Sequence, residues 1–438
     1  MGIVDQIEVR SEELGVRIAT PYLLHPTSYL LIVLFSLFSF TLSAQNNQVP
    51  ELNFTPSPLL APYLATAPDI TSRSAVLVDA QTMTVLYEKN PHEIIPPASL
   101  TKLMTMHLVM SEIQAGRAAY DEIVPITAES WSINQPPRSS LMFLAPGQIV
   151  TLREILLGLA VSSGNDAAVA AALRVTTSVN AFAEMMTNEA RRMGLENTIF
   201  VEPSGISDNN RTTAADFTVF CVQYIRIHPR SLAEFHSAPV FAYPAADNVA
   251  GTNRPNTIVQ PNRNLLLRSF PGVDGLKTGY IDLSGYNLAL TAERNNTRFV
   301  SVILGGPAIP GGDLIRERDG NLLLTWAFGN FKTVRPAIGT LEPVRLWKGK
   351  ENSVELQPAE PPVFTAPINR AASLHYTIEL ESHLTAPLPA MHPAGWLVIA
   401  DSEGELHREQ LLTVKSYQQG NIFRRIWHSI RLFFQGIR

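Results

Sequence analysis

The first two thirds of the chain contain two blocks of strand-like sequence separated by a block with helical spacing. Residues 74–80 and 84–87 have the pattern of a β-hairpin, and residues 286–292 and 299–304 have that of two neighbouring antiparallel strands. Between these blocks, residues 98–227 carry apolar runs spaced as in helices. Strands, then helices, then strands predict an α+β fold in which one antiparallel sheet carries a helical cluster.

A change in composition predicts a second domain. A helix expected near residues 321–331 closes the α+β segment, which we assign to residues 69–334. Over residues 335–418, prolines separate short strand patterns, such as the alternation at 374–380 and the apolar run at 396–400. The sequence therefore predicts a small all-β domain in this region.

The N-terminal segment predicts export. Residues 29–42 form an apolar run of 14 residues, which suits a signal peptide better than a membrane-spanning helix. We expect cleavage after Ala44, with residues 1–44 as the leader and the proline-rich residues 45–68 as a linker. Acidic residues near the start are unusual in a leader, so the true start lies further along or the leader is atypically long. A retained membrane anchor is the alternative.

The last residues, 420–438, predict an amphipathic helix. One face carries Ile422, Phe423, Ile426, Trp427, Ile430, Phe433, Phe434 and Ile437, and the other carries Arg424, Arg425, His428, Arg431, Gln435 and Arg438. A basic amphipathic helix at a chain end suits the surface of an anionic membrane. Docking on the protein's own core is the alternative, which the basic face disfavours.

Composition and motif content disfavour several classes of function. The 438 residues carry a net charge of −5, so a nucleic-acid partner has no global electrostatic support. The single cysteine, Cys221, lies in an apolar run and is expected to be a core thiol. The sequence lacks His-Glu-x-x-His and Gly-x-Ser-x-Gly, which disfavours a metallopeptidase and an α/β-hydrolase. We predict no metal and no cofactor.

Three short motifs supply the candidate chemistry. They are Ser99-Leu100-Thr101-Lys102, Ser163-Gly164-Asn165 and Lys277-Thr278-Gly279. Together they provide a hydroxyl nucleophile, an amine that can act as a base without histidine, and a second cationic wall with hydroxyl groups. Each motif alone is weak, because short patterns of common residues recur by chance. Their order and context therefore decide the interpretation.

Ser99 and Lys102 are predicted to share one face of a helix. Prolines precede Ser99 and an apolar run follows Lys102, so Ser99 falls in the first turn and Lys102 three residues later. The free N–H groups of that turn favour a developing oxyanion. Alone, the motif fits a serine cap with an exposed lysine better. The other two motifs reverse that preference.

The flanking sequences predict where the other two motifs lie in the fold. Ser163 lies in a polar break between two apolar helical runs, where its side chain can point into a cleft. Ser132 and Ser178 also begin Ser-x-Asn patterns, and Ser207 begins one that we interpret as a turn and capping segment. Lys277-Thr278-Gly279 is expected on an edge strand that lines the cleft.

The order and spacing of these motifs resemble those of the low-molecular-mass D-alanyl-D-alanine carboxypeptidases, from about Leu77 to the C-terminus. The resemblance implies a penicillin-binding/β-lactamase-like catalytic domain followed by a β-rich stalk. It implies that Ser99 forms an acyl-enzyme with peptidoglycan stem peptides and releases the terminal D-Ala. It also implies covalent inhibition by β-lactam antibiotics. With the leader and tail, it predicts a location at the periplasmic face of the inner membrane.

The resemblance further implies a role for each site residue. Lys102, if neutral, accepts the Ser99 proton, and Ser163 and Asn165 complete a hydrogen-bond relay. The backbone N–H groups of Ser99 and Tyr280 form the oxyanion hole, although Tyr280 stands where the family commonly has histidine.

The same resemblance assigns residues to the terminal carboxylate of the substrate. Lys277 and Thr278 face that carboxylate, and Gly279 lets the substrate backbone approach closely. Arg263, in Asn262-Arg263-Asn264, and Arg316, in an Arg-Glu pair, match family arginines. For each arginine a structural salt bridge is an equal alternative.

Three other functions remain as alternatives. A β-lactamase is disfavoured because the sequence has no Glu-x-x-Leu-Asn segment to supply a deacylation base. A D,D-endopeptidase is disfavoured by the C-terminal β segment and the basic tail. A non-catalytic peptidoglycan-binding protein is disfavoured by the intact Ser99, Lys102 and Lys277.

Overall fold

The computed structural model describes residues 52–54, 59–249, 256–380 and 382–435. The predicted leader, much of the predicted linker and residues 436–438 of the predicted tail helix lie outside the described residues. Within the described ranges, no helix combines the length and apolar character needed to cross a membrane.

The strands and helices are as follows. The strands are β1 (Ser74–Asp79), β2 (Val85–Lys89), β3 (Val240–Tyr243), β4 (Ile258–Pro261), β5 (Val273–Ile281), β6 (Gly285–Arg294), β7 (Thr297–Gly306), β8 (Phe331–Val334), β9 (Val344–Arg345), β10 (Ser353–Val354), β11 (Leu356–Pro358), β12 (Phe364–Pro367), β13 (His375–Leu380), β14 (Pro393–Asp401) and β15 (Gly404–Thr413). The helices are α1 (Ala61–Leu64), α2 (Lys102–Gln114), α3 (Leu152–Leu157), α4 (Asn165–Val175), α5 (Val179–Arg192), α6 (Ala214–Ile227), α7 (Leu266–Ser269), α8 (Gly312–Asn330) and α9 (Ile422–Gln435).

A five-stranded antiparallel sheet in the order β2-β1-β7-β6-β5 forms the centre of the first domain. The predicted hairpin is β1 and β2, and the predicted neighbouring strands are β6 and β7, so both expectations are confirmed. Because β5 lies at the edge of the sheet, Lys277-Thr278-Gly279 occupies an edge strand as expected.

Helices cover both faces of this sheet. On one face, Val76 and Val78 of β1 pack into a core with the helices between residues 102 and 227. On the other face, Ala75 and Leu77 pack into a second core with α8. Alternate residues of one strand thus enter different cores, which is the period-two pattern of a sheet buried on both sides.

The helix predicted near residues 321–331 differs from the observed α8. The helix begins at Gly312, and Phe331 instead begins β8. The polar run around Arg316 to Asp319 obscured this start, because charged residues in sequence suggest a loop. Asp319 is in fact fully buried and accepts a hydrogen bond from the backbone N–H of Ser72 at 2.8 Å.

The C-terminal region has its own apolar core and a four-stranded sheet in the order β11-β15-β14-β13. The strand predicted at 374–380 is observed as β13, and two of the four alternating apolar residues, Leu374 and Ile378, pack against this core. Tyr376 and Leu380 are 42% and 40% exposed, because β13 is an edge strand with only partial cover. β12 pairs with β8, with Phe364 opposite Val334. This pairing joins the two predicted domains.

The tail helix α9 contacts the C-terminal region through its polar face. The backbone N–H of Lys348 donates a hydrogen bond to Nδ1 of the buried His428 at 2.8 Å. Arg424 donates to the backbone carbonyls of Lys350 and Glu351, each at 3.2 Å. The basic face thus contacts the protein, because Arg424 and His428 bind backbone groups, but the helix does not dock its apolar face on the protein's own core.

The apolar face of α9 points to solvent as a result. Its large side chains are exposed, and the most exposed are Phe423 at 80%, Phe433 at 67% and Phe434 at 64%. An exposed apolar surface of this kind needs a partner, since isolated monomers rarely present so many large apolar groups together.

Candidate active site

Ser99 lies in a single 3₁₀ turn, Ala98–Thr101, immediately before α2. Two glycines contact the backbone that leads into Ser99. A Cβ atom at Gly205 would lie 1.8 Å from the carbonyl oxygen of Ala98, and one at Gly279 would lie 3.1 Å from the Ser99 nitrogen. Ala98 itself has a positive φ of 51°. The turn that presents Ser99 is thus fixed by close backbone contacts.

Lys102 is the first residue of α2 and is completely buried. Its Nζ atom donates to Ser99 Oγ at 3.1 Å, Asn165 Oδ1 at 2.8 Å and the Ser204 carbonyl oxygen at 2.5 Å. Burial lowers the pKa of Lys102 to about 7, against the opposing effect of the Glu202 carboxylate. The exposed-lysine alternative is therefore wrong, and this amine can be neutral near neutral pH.

Ser163 and Asn165 enter the same site at the junction of a π-helical turn with α4. Ser163 follows that turn, Gly158–Ser162, with a left-handed φ of 59°. Its Oγ is buried and has no hydrogen-bond partner among the described residues. Asn165 accepts from Lys102 and donates through Nδ2 to Ser139 Oγ at 3.0 Å. The site thus contains one hydroxyl that is free to bind a reactant.

Ser139 was not identified from the sequence, and neither was the residue that holds its loop. Asp166 is buried, and its carboxylate accepts backbone N–H groups from Met142, Phe143 and Leu144 at 2.8–3.0 Å. These bonds hold the loop that carries Ser139 against α4. The sequence shows only an aspartate directly after the Ser-x-Asn motif and gives no sign that this aspartate is buried.

Lys277 forms the opposite wall of the site. It is 2% exposed, and its Nζ donates to the carbonyl oxygen of Thr278 at 3.0 Å. Burial, reinforced by the charge of Lys102, lowers the pKa of Lys277 well below its usual value. Lys102 is therefore close enough to disfavour protonation of Lys277.

Two connected cavities open beside Ser99. The larger, of about 550 Å³, is lined by Ser163, Thr278, Gly279, Tyr280, Arg263 and Arg316 among others. The smaller, of about 290 Å³, is lined by Asn165, Arg138, Asp208 and Asp282 among others. All ten residues assigned to the site from sequence thus lie in or directly beside one cleft, since Lys102 and Lys277 contact its wall.

The two arginines differ in their partners. Arg316 pairs with Glu317 at 2.8 Å, while its Nε atom has no hydrogen-bond partner among the described residues. Arg263 forms no ion pair within the described part of the chain, and desolvation by its neighbours together with the charge of Arg316 lowers its pKa. The salt-bridge alternative therefore applies to Arg316 and not to Arg263. Arg263 is exposed to the cleft, and an unpaired guanidinium there favours an anionic ligand.

Tyr280 lies at the mouth of the cleft and is 38% exposed. Its hydroxyl donates to Asp282 Oδ1 at 2.8 Å, and Arg138 forms an ion pair with the same carboxylate at 3.3 Å. Its ring lies 4.4 Å from that of Tyr286. The Tyr280 side chain is thus held at the rim by Asp282 and Tyr286.

A family model described as D-alanyl-D-alanine carboxypeptidase (peptidase S11) matches residues 62–308, which is more than half of the chain. The chain belongs to this carboxypeptidase family. It is 32% identical to D-alanyl-D-alanine carboxypeptidase DacC of Escherichia coli (strain K12) over 388 residues, or 87% of this chain and 93% of that protein.

Solved structures agree with this assignment. Penicillin binding protein 5 from Haemophilus influenzae matches with a TM-score of 0.69 and 32% identity, covering 80% of this chain and 99% of that one. Penicillin-binding protein D2 from Listeria monocytogenes, in its ampicillin-bound form, matches with a TM-score of 0.50 and 26% identity, covering 60% and 100%. The predicted family, fold class and enzyme class are confirmed: the chain is a serine-type D-alanyl-D-alanine carboxypeptidase.

Proposed function

We propose that this carboxypeptidase removes the terminal D-Ala of peptidoglycan stem peptides through an acyl-enzyme on Ser99. The observation that carries the proposal is the contact of the buried Lys102 amine with both Ser99 Oγ and Asn165 Oδ1. A serine hydroxyl is a weak nucleophile until a neighbouring base takes its proton. Lys102 is the base within reach, and its lowered pKa makes a neutral amine available near neutral pH.

In the acylation step, Ser99 Oγ attacks the carbonyl carbon of the penultimate D-Ala while Lys102 Nζ accepts the hydroxyl proton. The carbonyl π bond opens to an oxyanion, which backbone N–H groups at Ser99 and Tyr280 stabilise. The oxyanion then re-forms the carbonyl, and the C–N bond to the terminal D-Ala breaks. The leaving amine takes a proton that Lys102 passes on through the hydroxyl of Ser163. This path uses the one buried hydroxyl of the site that has no partner among the described residues.

In the deacylation step, a water molecule replaces the departed amine. Lys102 accepts a proton from that water as its oxygen attacks the ester carbonyl. The ester bond to Ser99 then breaks, and the proton returns to Ser99 Oγ. One base thus serves both halves of the reaction, which agrees with the absence of a dedicated deacylation carboxylate from the sequence.

The larger cavity suits the carboxylate end of the substrate. Thr278, Arg263 and Arg316 line it, and the Lys277 amine lies behind Thr278, where it donates to the Thr278 carbonyl oxygen. A terminal carboxylate placed there lies on the same side of Ser99 as the leaving D-Ala. β-Lactams carry a carboxylate next to an amide carbonyl, so the same residues favour their covalent capture by Ser99.

The same proposal includes export and attachment to a membrane surface. It is supported by the apolar segment at 29–42 and by the exposed apolar face of α9. Contacts of Arg424 and His428 with the C-terminal region orient that face outward. Insertion of aromatic side chains into an anionic interface would hold the enzyme at the periplasmic face of the inner membrane.

The test of the acyl-enzyme uses the full-length mature protein and a fluorescent penicillin. Ser99→Ala should abolish both covalent labelling and release of D-Ala from a peptide ending in D-Ala-D-Ala, while the thermal unfolding midpoint stays near that of the wild type. Tryptic mass spectrometry should place the adduct on the peptide that contains Ser99. Persistent covalent labelling of Ser99→Ala would remove Ser99 from its proposed role.

A further inference from the structure

We propose that Glu202 is a positioning residue for acylation: its carboxylate holds the loop that fixes both the Lys102 amine and the backbone of Ser99. Glu202 lies in none of the three motifs and does not line either cavity. The inference rests on the proposed roles of Ser99 and Lys102.

The first observation is a concentration of donors around one side chain. Glu202 Oε2 accepts the backbone N–H of Ser204 at 2.7 Å and its hydroxyl at 2.6 Å. Glu202 Oε1 accepts the backbone N–H of Gly205 at 2.6 Å, Asn210 Nδ2 at 2.9 Å and the backbone N–H of Ser207 at 3.3 Å. All five partners are donors, so only an ionised carboxylate, which accepts at both oxygens, satisfies them together.

The second observation is where this loop meets the catalytic residues. The carbonyl of Ser204 accepts Lys102 Nζ at 2.5 Å, directly beside the two Glu202 bonds to the same residue. Gly205 packs against the Ala98 carbonyl, so closely that a Cβ atom would lie 1.8 Å away. The loop therefore has one contact with the base and one with the peptide that precedes the nucleophile.

Two further bonds join the loop to α2 and to the turn that carries Ser99. Thr105 Oγ1 donates to the carbonyl of Pro203 at 2.7 Å, and Asn210 Nδ2 reaches Thr101 Oγ1 at 3.2 Å. Because Asn210 also donates to Glu202, the carboxylate and the turn share one amide. Loss of the carboxylate would therefore loosen both the loop and the turn that carries Ser99. A small displacement of a reacting group lowers the reaction rate strongly.

The charge of Glu202 and its positioning role predict opposite effects, which makes them separable. A nearby negative charge stabilises protonated Lys102, so its removal leaves more of the amine neutral at low pH. Charge alone would therefore make Glu202→Gln faster below about pH 7 and unchanged on the alkaline plateau. Misplacement of the base and nucleophile would instead lower the plateau itself, where Lys102 is already neutral.

The experiment measures the second-order rate constant of acylation by a chromogenic cephalosporin from about pH 5 to about pH 10. We compare the wild type with Glu202→Gln, which keeps size but has only one acceptor oxygen, and Glu202→Asp, which keeps the carboxylate on a shorter chain. Glu196→Gln, an exposed glutamate nearby in sequence, is the matched control for loss of charge. Thermal unfolding and near-ultraviolet circular dichroism establish that each variant is folded.

We expect the plateau of Glu202→Gln to fall by about tenfold or more, with its acid limb moved to lower pH. Glu202→Asp should lie between Glu202→Gln and the wild type, and Glu196→Gln should match the wild type. A folded Glu202→Gln with a plateau rate within about twofold of the wild type would overturn the inference, and so would a folded Glu202→Asp whose plateau equals that of the wild type. If Glu202→Gln does not fold, the plateau rate of Glu202→Asp alone tests the inference.

This result is distinguishable from failure of the proposed function. Absence of an adduct on Ser99 in the wild type would refute the acyl-enzyme, whatever the Glu202 variants do. A wild type that is acylated on Ser99, together with unimpaired Glu202 variants, would refute only the positioning role.

Discussion

The Nζ atom of Lys102 lies 3.1 Å from the Oγ atom of Ser99, and no part of Lys102 is exposed to solvent. No histidine lines either of the cavities beside Ser99. His236, which contacts the carbonyl of Leu276 next to Lys277, belongs to a buried pair with Tyr224. Proton transfer at the nucleophile is therefore assigned to an amine, and the first two predictions follow from that assignment.

Replacing Lys102 with arginine tests the base. Arginine keeps a positive charge but does not lose its proton in this pH range. We expect the acylation rate constant for a fluorescent penicillin to fall by at least about 100-fold, the low end of what general base catalysis contributes. A folded Lys102→Arg enzyme with near-normal acylation would mean that the base is elsewhere.

The pH dependence of the wild type tests the same residue without mutation. Lys102 must be neutral to accept the Ser99 proton, and its pKa is lowered to about 7. The rate constant kcat/KM should therefore rise through about pH 7 and level off above it, because this parameter reports groups of the free enzyme. An acid limb near the ordinary lysine pKa of about 10.4 would contradict the burial of a neutral base.

Arg263→Ala tests the carboxylate pocket. Arg263 lines the larger cavity, is exposed to it, and has no ion pair among the described residues. Its loss should lower kcat/KM for peptides ending in D-Ala-D-Ala by about tenfold or more, as expected for a hydrogen bond between charged groups. Measurement near pH 9 keeps Lys102 neutral in both enzymes, since Arg263 also lowers the Lys102 pKa.

A substrate with a C-terminal amide is the control for this effect. It lacks the charge that Arg263 is expected to meet, so Arg263→Ala should change its kcat/KM much less. Equal losses for the acid and the amide would indicate a general distortion of the cleft.

Asp79→Ala tests the connection between the catalytic domain and the C-terminal region. Asp79 is fully buried at the end of β1, where its Oδ2 accepts the hydroxyls of Thr333 at 2.7 Å and Thr365 at 2.9 Å. Its removal takes away the buried acceptor that both hydroxyls share, so the free energy of unfolding should fall by about 2 kcal/mol or more. Asp69→Ala, at a site 98% exposed, should change it little. Similar denaturant curves for both variants would show that the buried link contributes nothing.

Deletion of residues 421–438 tests the proposed anchor. The catalytic motifs lie far upstream, so turnover of small D-Ala-D-Ala peptides should stay unchanged while the mature enzyme moves to the soluble fraction. Phe423→Ser, Trp427→Ser and Phe434→Ser together should release the full-length protein even at low salt. A truncated enzyme that still sediments with membranes after confirmed removal of the leader would contradict the assignment.

The arginines of α9 allow a finer version of the same experiment. Arg424 contacts the carbonyls of Lys350 and Glu351, whereas Arg425 and Arg431 form no described hydrogen bond or ion pair outside the helix backbone. Arg425→Gln with Arg431→Gln should weaken binding to anionic vesicles and leave less of it sensitive to salt. Binding to neutral vesicles should be unaffected.

The sequence predicted the parts of this protein that follow local rules. Short apolar runs identified β1 and β7, and the order of the three motifs placed Ser99, Lys102 and Lys277 in one site. The sequence did not predict which charged groups are buried or which groups they bind. The start of α8, the loop held by Asp166 and the donors around Glu202 all depend on carboxylates whose partners are distant in sequence or on the backbone. A sequence pattern does not distinguish such groups from solvated ones.

The two glycines that touch the nucleophile's peptide also bear on antibiotic resistance. Gly205 and Gly279 reach the Ala98–Ser99 backbone from two directions, and a Cβ atom on either would meet it at 3.1 Å or less. A larger residue here could reduce acylation by a drug only by moving the serine that the cell-wall reaction also needs. Viable resistance substitutions in this enzyme should therefore arise at the rim, around Arg138 and Tyr280, and spare these two positions.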